Sequence, residues 1–110
     1  MEERALKIQA RAFKALAHPT RIAILEMMRD GAICSCEIEP ELGLRQPNIA
    51  QHLAILRGSQ LVTSYRDGSR VMYNVVDPRI FEVIDTVKAV MYDVLDETTQ
   101  SLAVAEEVTN

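Results

Sequence analysis

The sequence predicts a mainly α-helical protein with one β-hairpin, a fold of the α+β class. Apolar residues recur at helical spacing in several stretches, and residues 61–76 alternate β-branched and aromatic residues around an Asp-Gly pair. The chain has 110 residues, which is the size of one domain. We therefore expect residues 1–110 to form a single domain with one core.

The first helix is predicted over residues 2–16. Its apolar side chains fall at steps of four, three and four residues, the spacing of one helix face. This predicted face consists of Leu6, Ala10, Phe13 and Ala17. A chain of this length buries a modest fraction of its surface, so pairing with a second copy is expected from the outset.

A second helix is predicted to begin at Pro19, because proline suits the first helical position, and to stop at Gly31. Three apolar residues at intervals of three predict its inward stripe. They are Ile22, Leu25 and Met28.

A helix-turn-helix is predicted over residues 36–58. Its first helix runs from about Cys36 to Leu42 and ends at Gly43, and Pro40 requires a start near Cys36 because proline is tolerated only in the first turn. The second helix covers residues 46–57. Its predicted inward residues are Ile49, Leu53 and Leu56.

Residues 61–76 are predicted to form a β-hairpin that turns at Asp67 and Gly68. Pro78 then opens a long helix with a broad apolar face, which is too wide for a free surface. The face comprises Ile80, Val83, Ile84, Val87, Val90, Met91, Val94 and Leu95. The weaker tail after Asp96 is consistent either with further helical turns or with a frayed end.

Charge is distributed unevenly along the chain. The formal net charge is −4, but residues 45–75 hold four arginines and one aspartate, a local charge of +3. Phosphate binding depends on local potential, so this section is the expected nucleic-acid contact. No apolar run is long enough for a membrane span and the N-terminus lacks the pattern of a secretory signal, which predicts a cytoplasmic protein without a membrane partner.

The pattern of helix-turn-helix followed by a hairpin is that of a winged helix-turn-helix, with the hairpin as its wing. Glutamine and asparagine match the paired donor and acceptor on adenine in the major groove, and wing arginines suit phosphate or the minor groove. The predicted DNA contacts are Gln46, Asn48, Gln51, His52, Arg66 and Arg70. Solvated surface residues, and ordinary packing for His52, are the alternatives.

The sequence resembles the arsenic-repressor (ArsR) family of metal-sensing winged-helix regulators over residues 10–76. The similar segments are "ALAHPTRIAILEMMRDG", "LGLRQPNIAQHLAIL" and "RDGSRVMY". The resemblance implies a homodimer with residues 1–17 and 78–108 at its interface. It also implies a repressor that leaves double-stranded operator DNA when an inducer binds. Arg45 stands where the family commonly has a serine cap, which weakens the cap but offers a further phosphate contact.

Cys34 and Cys36 lie at the start of the predicted helix-turn-helix. A helix N-terminus favours the thiolate that binds soft metals, and side chains two apart fall on one side of an extended segment. A disulfide between such near neighbours would close no useful loop. Family members with this Cys-x-Cys spacing sense arsenic, antimony, cadmium or lead, so the resemblance implies an inducer site at these residues and no obligatory cofactor.

The ligand set stays open. Position 39 is glutamate where some family sensors have a third cysteine, so a metalloid would need an outside ligand. Glu37, Glu39 or His18 could complete a site for zinc or cadmium.

Reversible thiol oxidation and an inert pair are alternative interpretations of the two cysteines, and a winged helix used for protein contacts is a further alternative. The chain has no phosphate loop, no nucleophile with a recognisable base and no C-x-x-C motif, so we expect no enzyme activity.

Overall fold

The computed structural model describes the backbone of residues 2–109 and the side chains of residues 2–98. Over this part of the chain there are five helices and three strands. In order they are α1 (Glu3–Leu16), α2 (Pro19–Met27), β1 (Ile33–Cys34), α3 (Ser35–Leu42), α4 (Gln46–Gly58), β2 (Val62–Asp67), β3 (Arg70–Val75) and α5 (Arg79–Thr109). Two compact units result, Met1–Pro78 and Arg79–Asn110, and α5 constitutes the second.

Helix α1 lies within one residue of its predicted bounds, but most of its side chains are exposed. Leu6 is 41% exposed and Phe13 60% exposed, whereas Ala15 is buried. Among the described residues, the apolar face predicted for this helix is therefore largely exposed. A surface of this kind indicates an interface with something else.

Helix α2 starts at Pro19 as predicted, with the proline at its first position. One of its predicted inward residues is wrong: Ile22 is 37% exposed, and Ile24 takes its place in the core beside Leu25 and Met28. The helix has nine residues and ends at Met27, four residues before the predicted stop at Gly31. Nearly every position between 22 and 28 is apolar, so a three-residue spacing cannot distinguish the buried face in so short a segment.

Helix α3 begins at Ser35, one residue before the predicted start, and Pro40 lies inside it instead of in its first turn. The position expected for Pro40 was wrong because the helix start is set by a cap at Cys34 and Glu37. Its end is as predicted. Gly43 adopts a left-handed conformation with φ of 66° and donates its N–H to the carbonyl of Glu39 at 2.8 Å.

Helix α4 confirms the predicted inward stripe. Ile49, Leu53 and Leu56 are each at most 2% exposed. The helix contacts α2, α3 and β2, so the core of the first unit lies where these elements meet. The other buried side chains of this unit are Ala15, Ile24, Leu25, Met28, Cys34, Ile38 and Val62.

The predicted hairpin is present, and it belongs to a three-stranded antiparallel sheet of order β1-β3-β2. Asp67 pairs with Arg70 across the turn, where Gly68 has φ of 64°. Strand β1 was not predicted as a strand. It pairs Ile33 with Tyr73 and Cys34 with Met72, and two residues are too few to produce an alternating pattern.

Helix α5 is continuous from Arg79, and the tail after Asp96 extends it to Thr109. Its apolar face is largely exposed within the chain: Val87 and Val90 are both 52% exposed, and Leu95 is 50% exposed. In the part of the chain that the structure describes, none of the helices is long and apolar enough to cross a bilayer.

Candidate functional site

The polar face of α4 is the centre of the predicted DNA-binding surface. Asn48 and Gln51 are exposed. With about 100° between successive helical residues, Gln51 points roughly opposite to the buried apolar stripe and Asn48 points to one side of it. Burial of that stripe therefore fixes which way the two amide side chains face. Proline at position 47 is in the first turn of the helix, where a missing N–H costs little.

Gln46 is placed differently from the other two amides. It occupies the first position of α4, and its side-chain Nε2 donates a hydrogen bond of 3.1 Å to Oε2 of Glu39 in α3. Beside it, Arg45 caps the helix only through its backbone, because no side-chain hydrogen bond is made there. This agrees with the weak side-chain cap expected from an arginine at that position.

His52 is half-buried and packs toward α2. Its ring centroid lies 4.5 Å from that of His18, at a tilt of 54°. Nη1 of Arg21 is 3.4 Å from Nδ1 of His52. Arginine only donates, so the neutral ring carries its proton on Nε2. Desolvation by burial lowers the pKa of His52, and the positive charges of His18 and Arg21 lower it further. Sequence reasoning missed this contact between the two histidines.

The wing presents both predicted arginines beside the Gly68 turn. Arg66 pairs with Val71 in the ladder, Arg70 begins β3, and both side chains are exposed. Nη2 of Arg70 lies 3.7 Å from Oε1 of Glu37 in α3. Arg66 makes no ion pair with any side chain that the structure describes. The two arginines are therefore unequal, because one already has an anionic partner.

The two cysteines meet at the start of α3, where their Sγ atoms are joined in a disulfide. Cys34 ends β1, caps α3 and is 3% exposed, whereas Cys36 lies in the first helical turn and is exposed. Their position at a helix N-terminus is as predicted. The expectation that both lie in an extended segment was wrong, because only Cys34 is extended and its side chain folds back over the helix start.

Hydrogen bonds fix this cap. Sγ of Cys34 accepts the N–H of Cys36 at 3.1 Å, and Oε2 of Glu37 accepts the N–H of Cys34 at 2.9 Å. The arrangement is a capping box in which cysteine replaces the usual serine or threonine. Sequence reasoning missed it, although the three-residue spacing from Cys34 to Glu37 is its signal.

The donor set fits a soft ion only in part. After reduction the pair offers two sulfur ligands that are two residues apart in the chain, with Cα atoms 5.0 Å apart in the present form. Among the described side chains, no group of three His, Cys, Asp or Glu residues is arranged to hold a metal. His18, one of the suggested extra ligands, instead packs on His52 and caps α2 by accepting the N–H of Thr20. Glu37 and Glu39, the other suggested ligands, contact the N–H of Cys34 and the side chain of Gln46 respectively.

Comparison with known proteins relates most of the chain to one family. The family model described as "Bacterial regulatory protein, arsR family" matches residues 18–64. The HTH-type transcriptional regulator Rv0081 of Mycobacterium tuberculosis is 36% identical over 93 residues, which cover 83% of this chain and 81% of that protein. The crystal structure of Rv0081 superimposes with a TM-score of 0.79 at 33% identity, covering 89% of this chain and 99% of that one.

Two further relatives bear on function. A probable mercury resistance operon repressor of Streptomyces lividans is 37% identical over 75 residues, covering 68% of this chain and 60% of that protein. The homodimeric winged helix-turn-helix DNA-binding domain of Mb0332 from Mycobacterium bovis, a possible ArsR-family regulator, has a TM-score of 0.77 at 25% identity. That match covers 88% of this chain and 93% of that one.

Proposed function

Since the chain belongs to the arsR family of bacterial regulatory proteins, which are transcriptional regulators and not enzymes, we propose that it is a homodimeric repressor of operator DNA. Its inducer acts at Cys34 and Cys36. The observation that carries the proposal is the exposed amide face of α4 beside a wing with two exposed arginines. This arrangement combines groups that read base edges with groups that hold phosphate.

The two kinds of contact have different roles. Asn48 and Gln51 are the side chains for base edges in the major groove, where one good bidentate pair with adenine discriminates by about 1–3 kcal/mol. Arg45, Arg66 and Arg70 are the phosphate contacts. Gln46 belongs to the same proposed surface, but it must first leave its hydrogen bond with Glu39. His52 also belongs to this surface, and it must first leave its contact with His18 at the start of α2.

A second copy of the chain is the proposed partner for the exposed apolar surfaces. Leu6 and Phe13 of α1 and a longer series along α5 are open to solvent within one chain. Mb0332 is a homodimer of related fold, which supports the same assembly here. In such a dimer, the two α4 helices would enter successive major grooves of an operator that has two half-sites.

The first proposed class of inducer is a soft, thiol-binding ion, namely arsenite, antimonite or cadmium, with zinc as a harder alternative. Two thiolates at a helix N-terminus suit such ions, and the related Streptomyces protein is a probable mercury resistance operon repressor. Binding would pull on the start of α3, which is followed by the Gly43 turn and then α4.

The disulfide favours oxidation as a second candidate signal. In this reaction the two thiols release two protons and two electrons as the S–S bond forms, and hydrogen peroxide accepts them to become two water molecules. Ion binding and oxidation would both alter the cap that Cys34 and Glu37 form at the start of α3.

The experiment is a titration of the protein on a fluorescent duplex from the region upstream of its own gene. Affinity should fall steeply with salt if phosphates are contacted. Arsenite, cadmium, zinc and peroxide are then added separately. A functional inducer should weaken binding about 5- to 150-fold, the usual range of coupling between two sites.

The matched control is the double variant Cys34→Ser, Cys36→Ser. Serine is a good helix cap, so the variant should fold and bind the duplex but ignore every inducer. A normal response of this variant would exclude the cysteines as the inducer site. Salt-independent binding, or none to duplex DNA, would instead favour a winged-helix module for protein contacts.

A further inference from the structure

Glu37 stands between the cysteine pair and the wing. One carboxylate oxygen, Oε2, accepts the N–H of Cys34 at 2.9 Å, and the other, Oε1, lies 3.7 Å from Nη2 of Arg70. Both side chains of this ion pair are about half exposed, at 49% for Glu37 and 50% for Arg70. One carboxylate therefore contacts both the proposed inducer site and a proposed phosphate contact.

The backbone joins the same two places. Cys34 is paired with Met72 in the antiparallel ladder between β1 and β3. Met72 is two residues after Arg70, at which β3 begins. A change in the conformation of Cys34 would therefore act directly on β3, the strand that carries Arg70. This connection between the cysteines and the wing does not pass through α4.

Resting on the proposed function, we propose that Glu37 is a positioning residue that competes with DNA phosphate for Arg70 and passes the state of the cysteine pair to the wing. An arginine shared with a carboxylate is less available to phosphate, and the carboxylate itself repels phosphate. The ion pair is long and exposed, so it is weak and can be exchanged. Exchange is what a regulatory contact requires.

The covalent state of the sulfur pair supplies the direction of the effect. The disulfide fixes Cys34 over the start of α3, where its backbone N–H holds the Glu37 carboxylate beside Arg70. Reduction breaks the S–S bond, so the cap loosens, Glu37 is held less firmly and Arg70 is freed. The reduced protein is therefore the tighter DNA binder, and the disulfide form is the weaker one.

The test uses Glu37→Gln with Glu41→Gln as its control. Glutamine at position 37 keeps an oxygen for the N–H of Cys34, because a capping box accepts Glu or Gln, but it lacks the charge that holds Arg70. Glu41 is an exposed acid of the same helix. Its replacement removes one charge from α3 while leaving the Glu37–Arg70 contact in place.

Duplex affinity is measured before and after dithiothreitol, whose two thiols become its own cyclic disulfide as Cys34 and Cys36 each gain a hydrogen. In the disulfide form, E37Q should bind about twofold to fivefold more tightly than the wild type, the range expected for an exposed pair. The increase in duplex affinity on reduction should be smaller in E37Q than in the wild type and unchanged in E41Q. In an R70Q background, the effect of E37Q should be smaller. Equal behaviour of E37Q and E41Q would overturn the proposal.

A second readout separates this inference from the proposed function. The ¹⁵Nε–H signal of Arg70 in NMR spectra without DNA should shift on reduction and in E37Q, but not in E41Q. If the wild type fails to bind duplex DNA, the proposed function and the competition with phosphate both fall. The NMR signal then decides the link from the cysteines to Arg70, and an unchanged signal in E37Q refutes that link.

Discussion

Arg66→Gln tests the wing as a phosphate contact. Arg66 is exposed and has no ion pair with a described side chain, so its guanidinium is free to bind DNA in the form that the structure shows. Each phosphate neutralised contributes about 0.9 to the slope of log K against log salt concentration. A dimer carries two wings, so the variant should reduce the slope by about 1.8.

That change in slope is measurable. Between 0.05 and 0.2 M salt, the wild type should lose about twelvefold more affinity than R66Q, which is the fourfold change in salt raised to the power 1.8. Fluorescence anisotropy with a labelled operator duplex over a salt series gives the slope. The control is Arg29→Gln, because Nη2 of Arg29 is already paired with Oε1 of Glu26 at 2.7 Å. Equal slopes for R66Q and the wild type would refute a phosphate contact at the wing.

Two further predictions concern stability and assembly. Because the pKa of His52 is lowered in the folded chain, first by desolvation and then by His18 and Arg21, the unfolded chain takes up this proton first as pH falls. The neutral ring therefore contributes to the free energy of unfolding in full above the ordinary imidazole pKa of about 6.5. This contribution is lost as the pH falls from that value to the folded-state pKa. Urea unfolding measured from pH 8 to 5 should show a smaller fall in the free energy of unfolding for His52→Gln than for the wild type. If the free energies of the two proteins change with pH in parallel, the prediction is wrong. Val90→Glu places a charge on the exposed apolar face of α5, and at about 3 kcal/mol for an unpaired buried charge it should weaken the dimer more than 100-fold. Light scattering after size exclusion measures the mass, with Asp93→Asn as the control, and an intact V90E dimer would remove α5 from the interface.

Long elements with a clear apolar period could be predicted from the sequence. Ile49, Leu53 and Leu56 are buried in α4 because a helix of 13 residues gives the period several turns in which to appear. Ile22 in α2 was assigned to the core incorrectly, since that helix is short and apolar at most positions. The strand β1 escaped prediction because it exists only through pairing with β3, a contact between residues far apart in the chain.

The candidate site divides in the same way. Residue types identified the cysteines, amides and wing arginines, since each chemistry belongs to its side chain. What the sequence did not indicate was which of these groups already have partners. Glu39 holds Gln46 and Glu37 holds Arg70, and both contacts join residues from different elements. The spacing of residues along the chain does not indicate such pairs. Which side chains are available to contact DNA could therefore be judged only from the fold.

The position of α3 suits the proposed link between the two cysteines and the proposed DNA-binding surface. This eight-residue helix starts at the sulfur pair and sends one carboxylate to the wing and another, two residues later, to the first residue of α4. Ile38 is fully buried and anchors the helix in the core. Under the proposal, the exposed carboxylates would therefore exchange partners without any rearrangement of the core. Redistribution of two weak polar contacts would alter both a phosphate-binding arginine and an amide at the start of the recognition helix, and the energy of each is small enough for inducer chemistry at the helix cap to outweigh it.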